Sequence, residues 1–415
     1  MRSAKPLIVP IASVAVISLV LMTVAAAWAA GKERILHNFR GSDGCYPGAG
    51  LIFDASGNLY STIVEDSVFE LTPGTNGKWT ETVLYKTSHA VTPFFAGLIF
   101  DAAGNLYTTT SNGGDFYCGI YNDGCGTVFE LTPGANGKWN HTELYRFHGK
   151  DGAFPDAGLI FDAQGNLYGT TSNEDNSNPC LYGSCGTVFK LSPGQNGKWT
   201  ETVLHRFSGK NGDGASPAAS LIFDAAGNLY GTTPYGGSNL CSGGCGIVFK
   251  LTPSSSGKWS ETILHTFSGS DGAYPQAGLI FDAAGSLYST TSNGVVGNYC
   301  LYGSCGTVFK LTPDTGGKWN ETVLHSFQGA DGSSPYSGLV FDAKGNLFGT
   351  TLTNVFKLAP GANGEWTETV LHTFGRVEYG IESHAGVILD TAGNLYGTTV
   401  RGGSGYCGVV FEVSP

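Results

Sequence analysis

Gly158-Leu-Ile-Phe-Asp-Ala-Gln-Gly-Asn-Leu-Tyr-Gly-Thr-Thr171 is one of seven versions of the same stretch along this chain. The core of the motif, Phe-Asp-Ala-x-Gly-Asn-Leu-Tyr, begins at Phe53, Phe100, Phe161, Phe223, Phe281, Phe341 and, with Leu for Phe, at Leu389. Successive copies lie 47, 61, 62, 58, 60 and 48 residues apart. Repetition at this period marks stacked units, none of which can bury its apolar face alone.

Within one unit the residues read as four short strands. Gly158-Leu-Ile-Phe161 is an apolar run, expected to be buried on both faces near an axis. Asp162 to Asn166 is a tight turn, in which Asp bonds nearby backbone and Gly supplies a positive φ. Leu167–Thr171 forms the second strand and Gly186–Ser192, rich in β-branched and aromatic residues, the third. Pro193 to Gly197 breaks the chain before a fourth strand, Trp199–Phe207, which alternates with period two. No sustained 3.6-residue pattern follows the first 30 residues. The fold expected is all-β: a seven-bladed β-propeller with four strands per blade. Periods above the roughly 40–45 residues of a typical blade come from long connections between second and third strands. A β-helix fits less well, lacking a hairpin in every unit, and a sandwich would not keep a seven-fold register.

The two ends of the chain fit this scheme. The seventh unit stops after its third strand, Val409–Val413, and Arg34-Ile-Leu-His-Asn-Phe39 matches the fourth-strand segments at 203–207 and 263–267. An N-terminal strand that completes the last blade removes two free sheet edges, which otherwise invite aggregation.

Residues 1–30 read as a signal peptide: Arg2 and Lys5 precede the apolar run Leu7 to Ala27, and small residues near Ala29 offer a cleavage site. The mature chain is expected to start at Ala30 or Gly31, with an uncleaved membrane anchor as the alternative. Residues 31–415 then make one propeller domain, secreted, periplasmic or at the cell surface, with a monomer and no membrane contact expected. Lys and Arg number 22 against 33 Asp and Glu, a net charge of −11 that becomes −13 without Arg2 and Lys5. Such a surface argues against nucleic acid or anionic lipid as partner.

Ten cysteines in an exported chain read as disulfides. Eight form local pairs, Cys118 with Cys125, Cys180 with Cys185, Cys241 with Cys245 and Cys300 with Cys305. Cys45 and Cys407 remain, in loops that a closed ring brings to one face across the seam. The cysteines show no zinc-ligand spacing, and neither a metal nor a cofactor is expected.

The units Gly-Thr-Val-Phe-Lys-Leu-(Thr/Ser)-Pro, Leu-His-x-Phe-x-Gly and Gly-Leu-Ile-Phe-Asp-Ala-x-Gly-Asn-Leu-Tyr-Gly-Thr-Thr resemble the Gloeo/Verruco ("GloVer") tandem-repeat proteins of bacteria, over nearly all of residues 33–415. The resemblance implies an exported bacterial repeat protein and carries no established activity. Members often bear a separate C-terminal surface anchor, and none is expected within these 415 residues.

The turn aspartates, Asp54 to Asp390, occur in every unit and lack the asymmetry that separates an acid from a base, so they read as turn formers. His37, His205, His265, His325 and His372 share one outer-strand position with Tyr85 and Tyr145, which suits packing rather than proton transfer. Asp43, Asp151, Asp271 and Asp331, with Asn211 in that place once, read as turn residues; calcium is the other reading. No serine-nucleophile elbow, phosphate loop or zinc-protease motif occurs. What varies between units is aromatic. Tyr46, Phe95, Phe154, Tyr274 and Tyr336 lie in the connections into the inner strands, where the fourth unit has Ser216. Aromatic rings among Asn, Ser and Gly suit sugars or protein loops, so these five are the candidate ligand-binding residues at the channel mouth. The expected function is a binding or scaffold propeller that recognises glycan or extracellular protein. The alternative is a polysaccharide hydrolase or lyase, for which Asp156 and Glu382 are the available loop acids.

Overall fold

The repeats fold into seven antiparallel sheets of four strands among the described residues, beside one small two-stranded sheet of Gly214–Ala215 and Tyr235–Gly236. The computed structural model describes residues 32–64, 67–87, 96–114, 118, 124–173, 185–294, 305–375 and 380–415. Residues 1–31 therefore lie outside the described residues. In the third blade the strands are Ile160–Phe161, Leu167–Thr171, Thr187–Pro193 and Trp199–Arg206, from inner to outer. The inner strands of the other blades start at Ile52, Ile99, Ile222, Ile280, Val340 and Ile388. Among the described residues the helical turns are short 3-10 segments such as Ala135–Gly137, and no helix is long and apolar enough to cross a membrane.

The seventh blade takes its outer strand from the chain's start. Lys32–Asn38 runs antiparallel to Val409–Ser414, with Lys32 opposite Ser414, Asn38 opposite Val409, and a bulge between Ile35 and His37. Cys45 and Cys407 are disulfide-bonded across this seam, as are Cys118 with Cys125 and Cys241 with Cys245 locally. Cys185 and Cys305 are also disulfide-bonded, while Cys180 and Cys300 lie outside the described residues.

One local expectation is corrected. The inner strand pairs over only two residues, and Ile160 and Phe161 are half-buried rather than buried on both faces. Phe161 packs edge-on against Tyr107 of the preceding blade, with centroids 5.0 Å apart. The fully buried strand is the second, Leu167–Thr171.

The three residues that close each motif, Gly-Thr-Thr in four of the seven units, explain how blades are held together. Gly169 lies under Phe189; a Cβ there would come within 2.7 Å of the ring. The next residue reaches the following blade: Thr109 Oγ1 donates to Pro155 O at 2.7 Å, Thr232 to Ala277 O at 3.0 Å and Thr350 to Ala385 O at 2.8 Å. Thr398 donates to Ala49 O at 3.3 Å, which closes the ring. The second threonine stays within its blade, as in the 2.8 Å bond between the Thr171 and Thr187 hydroxyls. Buried hydroxyls thus cross every described blade boundary with partners in place.

The repeated aspartates behave as turn formers. Asp162 Oδ1 accepts from the Gln164 and Asn166 amides, and Oδ2 from Asn166 Nδ2 and the Tyr168 hydroxyl, at 2.6–2.9 Å. Burial pushes its carboxyl up, but these bonds outweigh it and hold the pKa below the ordinary value.

At the outer rim five seams hold an imidazole or phenol, an aspartate from the loop after it, and a glutamate of the next blade, while Tyr85 meets His141 at the first seam and His372 meets Glu33 at the seam with the seventh blade. His37, His265 and His325 bond Asp43, Asp271 and Asp331 at 2.9–3.1 Å through Nε2, and Tyr145 donates to Asp151 at 2.6 Å. The same aspartates accept backbone N–H bonds, as Asp271 does from Ser268. Six seam glutamates, Glu33, Glu81, Glu201, Glu261, Glu321 and Glu368, each keep a buried Oε1 that accepts no hydrogen bond among the described residues. Burial, with the Asp151 charge adding, pushes Glu201 from 4.5 up to about 7.

This shift sets a pH dependence. Between those two values the native state keeps a proton that the unfolded chain has released, so the Glu201 contribution to stability falls as pH rises through that window. Glu201→Gln, uncharged and of the same shape, is expected to add roughly 1 kcal/mol of stability at pH 8, a figure discounted because the group is only part-buried. At pH 4.5 or below it should add little. Urea denaturation at the two pH values checks this; an equal gain at both would contradict it.

Candidate functional site

The loops that enter the inner strands build the centre of one face. In the third blade the loop is Phe154-Pro155-Asp156-Ala157-Gly158. Phe154 takes a left-handed φ of 57°, and Tyr46, Ser216, Tyr274, Ser334 and Glu382 do the same at 49–65° in their blades. Such a conformation is costly for a residue with a Cβ, and the surroundings over-determine it. The Phe154 N–H donates to Cys125 O at 2.9 Å, Tyr274 N–H to Cys245 O at 2.9 Å, and Tyr46 N–H to Cys407 O at 2.8 Å. The following proline then seats on the glycine after that cysteine: a Cβ on Gly186, itself at φ +76°, would come 2.7 Å from Pro217 Cδ. The disulfides therefore anchor the strand start to which the next blade's loop is fastened.

With the loop pinned there, the residue two places on faces the centre. Asp156, Ala218, Gln276, Tyr336 and His384, from the third to the seventh blades, line one cavity of about 560 Å³. Tyr336 and His384 are stacked across a blade boundary, their rings 5.4 Å apart and 3° from parallel. Asp156 accepts from the Ser172 hydroxyl at 2.7 Å, and Gln276 reaches Ser292 in the matching place at 3.5 Å. Burial pushes the Asp156 carboxyl up against the opposing Ser172 bond. Burial lowers the His384 pKa, with Glu382 opposing and Arg401 reinforcing the shift, so the ring is neutral at pH 7.

The five sequence candidates fall in different places. Tyr336 lines the central cavity. Tyr46 lines an adjoining cavity of about 240 Å³ that shares His384 with it. Phe154 and Tyr274 occupy the left-handed position two residues earlier and are half-buried. Phe154 packs against the core beneath, and Tyr274 sits edge-on to Tyr235 and bonds Ser242 O at 3.2 Å. Phe95 lies outside the described residues. Of the two loop acids, Asp156 reaches the cavity, while Glu382 faces Arg401 at 3.5 Å. His384 and Gln276 are absent from the sequence candidates, because a shared loop position and not a shared residue type brings them to the cavity. Each stands one residue before the segment that leads into the inner strand, Ala277-Gly-Leu279 for Gln276 and Ala385-Gly-Val387 for His384.

The Gloeobacter/Verrucomicrobia repeat model matches residues 64–302 and 301–415. The chain belongs to this repeat family. A search of the curated proteins finds no match. Among solved structures, this Gloeobacter/Verrucomicrobia repeat protein is similar to a catalytically inactive virginiamycin B lyase from Staphylococcus aureus with quinupristin, at 14% identity and TM-score 0.56, covering 92% of this chain and 99% of that one. A streptogramin B lyase is similar at 15% identity and TM-score 0.54, covering 92% and 97%. YCF48 bound to a D1 peptide is similar at 10% identity and TM-score 0.52, covering 94% and 96%. At these identities the likeness is one of propeller fold.

Proposed function

We propose that this repeat protein is an exported binding propeller that recognises a glycan at the central mouth of its loop-rich face. The observation that carries this reading is the stacked Tyr336–His384 pair, set in one cavity with Asp156 and Gln276. An aromatic platform beside a carboxylate and an amide offers an apolar face for a sugar ring and acceptors and donors for its hydroxyls. A volume of about 560 Å³ suits a small-molecule segment rather than a folded partner. The disulfides at the third-strand starts and the leader-like residues 1–30 support export. Two solved propellers of similar fold, one with quinupristin and one bound to a D1 peptide, support use of the fold for binding.

A polysaccharide hydrolase needs two carboxylates roughly 5–10 Å apart. Among the described residues lining the cavity, Asp156 is the carboxylate, which makes binding the better-supported reading. A glycan array probed with the mature chain tests it. Tyr336→Ala and His384→Ala are each expected to weaken the best ligand by roughly 2 kcal/mol, about 30-fold, with an unchanged melting temperature. Binding that survives both substitutions would place the ligand elsewhere, and an array without a hit would remove the glycan reading.

A further inference from the structure

The seam between the third and fourth blades departs from the others. After the outer strand, the third blade reads Ser208-Gly-Lys-Asn-Gly-Asp213-Gly, where the fourth reads Ser268-Gly-Ser-Asp271-Gly. Two extra residues move the carboxylate. Asp213 still accepts from the Ser208 amide at 2.7 Å and hydroxyl at 2.6 Å, and from the Gly214 amide at 2.7 Å. It no longer bonds the imidazole: His205 Nε2 stands 3.8 Å from Asp213 Oδ1 and 3.7 Å from Glu261 Oε1. Both separations exceed a hydrogen bond. His205 Nε2 and Glu261 Oε1 are buried, and neither has a hydrogen-bond partner among the described residues.

We propose that His205, Asp213 and Glu261 form a binding site for a divalent transition metal of the zinc type, which clamps the third blade to the fourth. Among the described residues this is the one His/Cys/Asp/Glu group whose ligand atoms all lie within 4.8 Å of one another. An ion roughly 2.0–2.2 Å from each ligand fits atoms spaced this way after small side-chain adjustments. An imidazole with two carboxylates selects zinc or a neighbouring first-row ion over calcium or magnesium, which prefer oxygen alone. Neutral imidazole and two carboxylates also balance a 2+ charge, which resolves the otherwise uncompensated Glu261 oxygen. Asp213 is pre-oriented by its serine and glycine donors, the support that ligating carboxylates need. At the other seams with an imidazole and aspartate, a direct bond of 2.9–3.1 Å takes up the imidazole nitrogen.

The test uses the untagged mature chain, 31–415, stripped with chelator and titrated with zinc against a chromophoric competitor, with cobalt as the spectroscopic probe. The expected result is one ion per chain, cobalt bands of low coordination number, and a melting temperature that rises with zinc. His205→Ala and Glu261→Gln should each weaken binding at least 10-fold and abolish the thermal shift, while His265→Ala in the next seam binds as the parent does. Glu261→Gln keeps size and shape, so it reports on the site if His205→Ala fails to fold. Absence of stoichiometric binding, or equal binding by parent and Glu261→Gln, overturns the proposal and leaves a water in the gap.

Discussion

A chain that lacks residues 31–40 is expected to lose its cooperative thermal transition and to elute as aggregates. The missing strand pairs with Val409–Ser414 from Lys32 through Asn38. It carries Leu36 and Phe39, which are 7% and 0% exposed, and the Phe39 ring meets Phe69 of the first blade at 5.2 Å. Deletion would open a strand whose Val409, Val410, Phe411 and Val413 are fully buried, giving a long apolar edge of the kind that pairs with other chains. It would also free the Phe39 site, and a buried Phe alone contributes about 3–5 kcal/mol against Ala. The Cys45–Cys407 bond spans 362 residues, and the chain-entropy model assigns a loop of that length roughly 6 kcal/mol, an upper figure. That bond ties loops, however, and cannot replace a strand. A permuted chain, with Pro415 joined to Lys32 by a short turn and new ends in the exposed 74–77 turn, should restore a monomer. Size-exclusion chromatography and a thermal melt decide it; a monomeric deletion variant with the parent's melt would show that closure contributes little.

How much of this was legible in the sequence depends on the range of the interaction that decides each feature. The strand order, the turns and the N-terminal closure could be read because each is written in contiguous residues repeated seven times. Cys45 with Cys407 followed from topology once closure was assumed. The mouth was read less well because its geometry turns on a left-handed residue that no propensity announces. Tyr46, Phe154 and Tyr274 look alike in composition, yet they take the pinned position, and the centre-facing one belongs to Gly48, Asp156 and Gln276. The bonds from Thr109, Thr232 and Thr398 to the next blade could not be read at all, since a threonine in a strand is usually explained by propensity. Seam glutamates such as Glu201 share one face of an alternating outer strand with Trp199 and Val203, and nothing in the strand's own residues shows that a neighbouring blade buries them.

Phe249→Ala is expected to lower stability by about 3–5 kcal/mol, read as a fall in urea midpoint at unchanged slope. Phe249 is 0% exposed in the third strand of the fourth blade, paired with Gly231 on one side and Ile263 on the other. Its ring meets Phe207 of the third blade edge-on at 5.0 Å. Equivalent pairs join Phe147 to Phe189, Phe267 to Phe309 and Phe327 to Phe356 at 5.1 Å, so the substitution removes one of a ring of contacts between blades. The cavity cannot close easily, because its floor is the Gly231 backbone of a fully buried strand and its far wall is another blade. The first seam shows a local answer to the same gap: Thr87 stands where Phe207 would be, Tyr85 stacks on His141 at 4.5 Å, and a cavity of about 170 Å³ remains. A double substitution separates the packing explanation from a general loss of apolar surface. Gly231→Ala alone would drive its Cβ to 2.6 Å from Phe249 Cζ and should cost roughly 1–3 kcal/mol by overpacking. In the Phe249→Ala background the ring clash is gone, Leu221 Cδ2, 2.8 Å from the new Cβ, can shift into the space left, and the methyl group refills part of the void. The double variant should therefore be more stable than the sum of the single losses predicts, by at least about 1 kcal/mol. Additive losses would mean that Gly231 and Phe249 do not share the contact for which a residue without a side chain makes room.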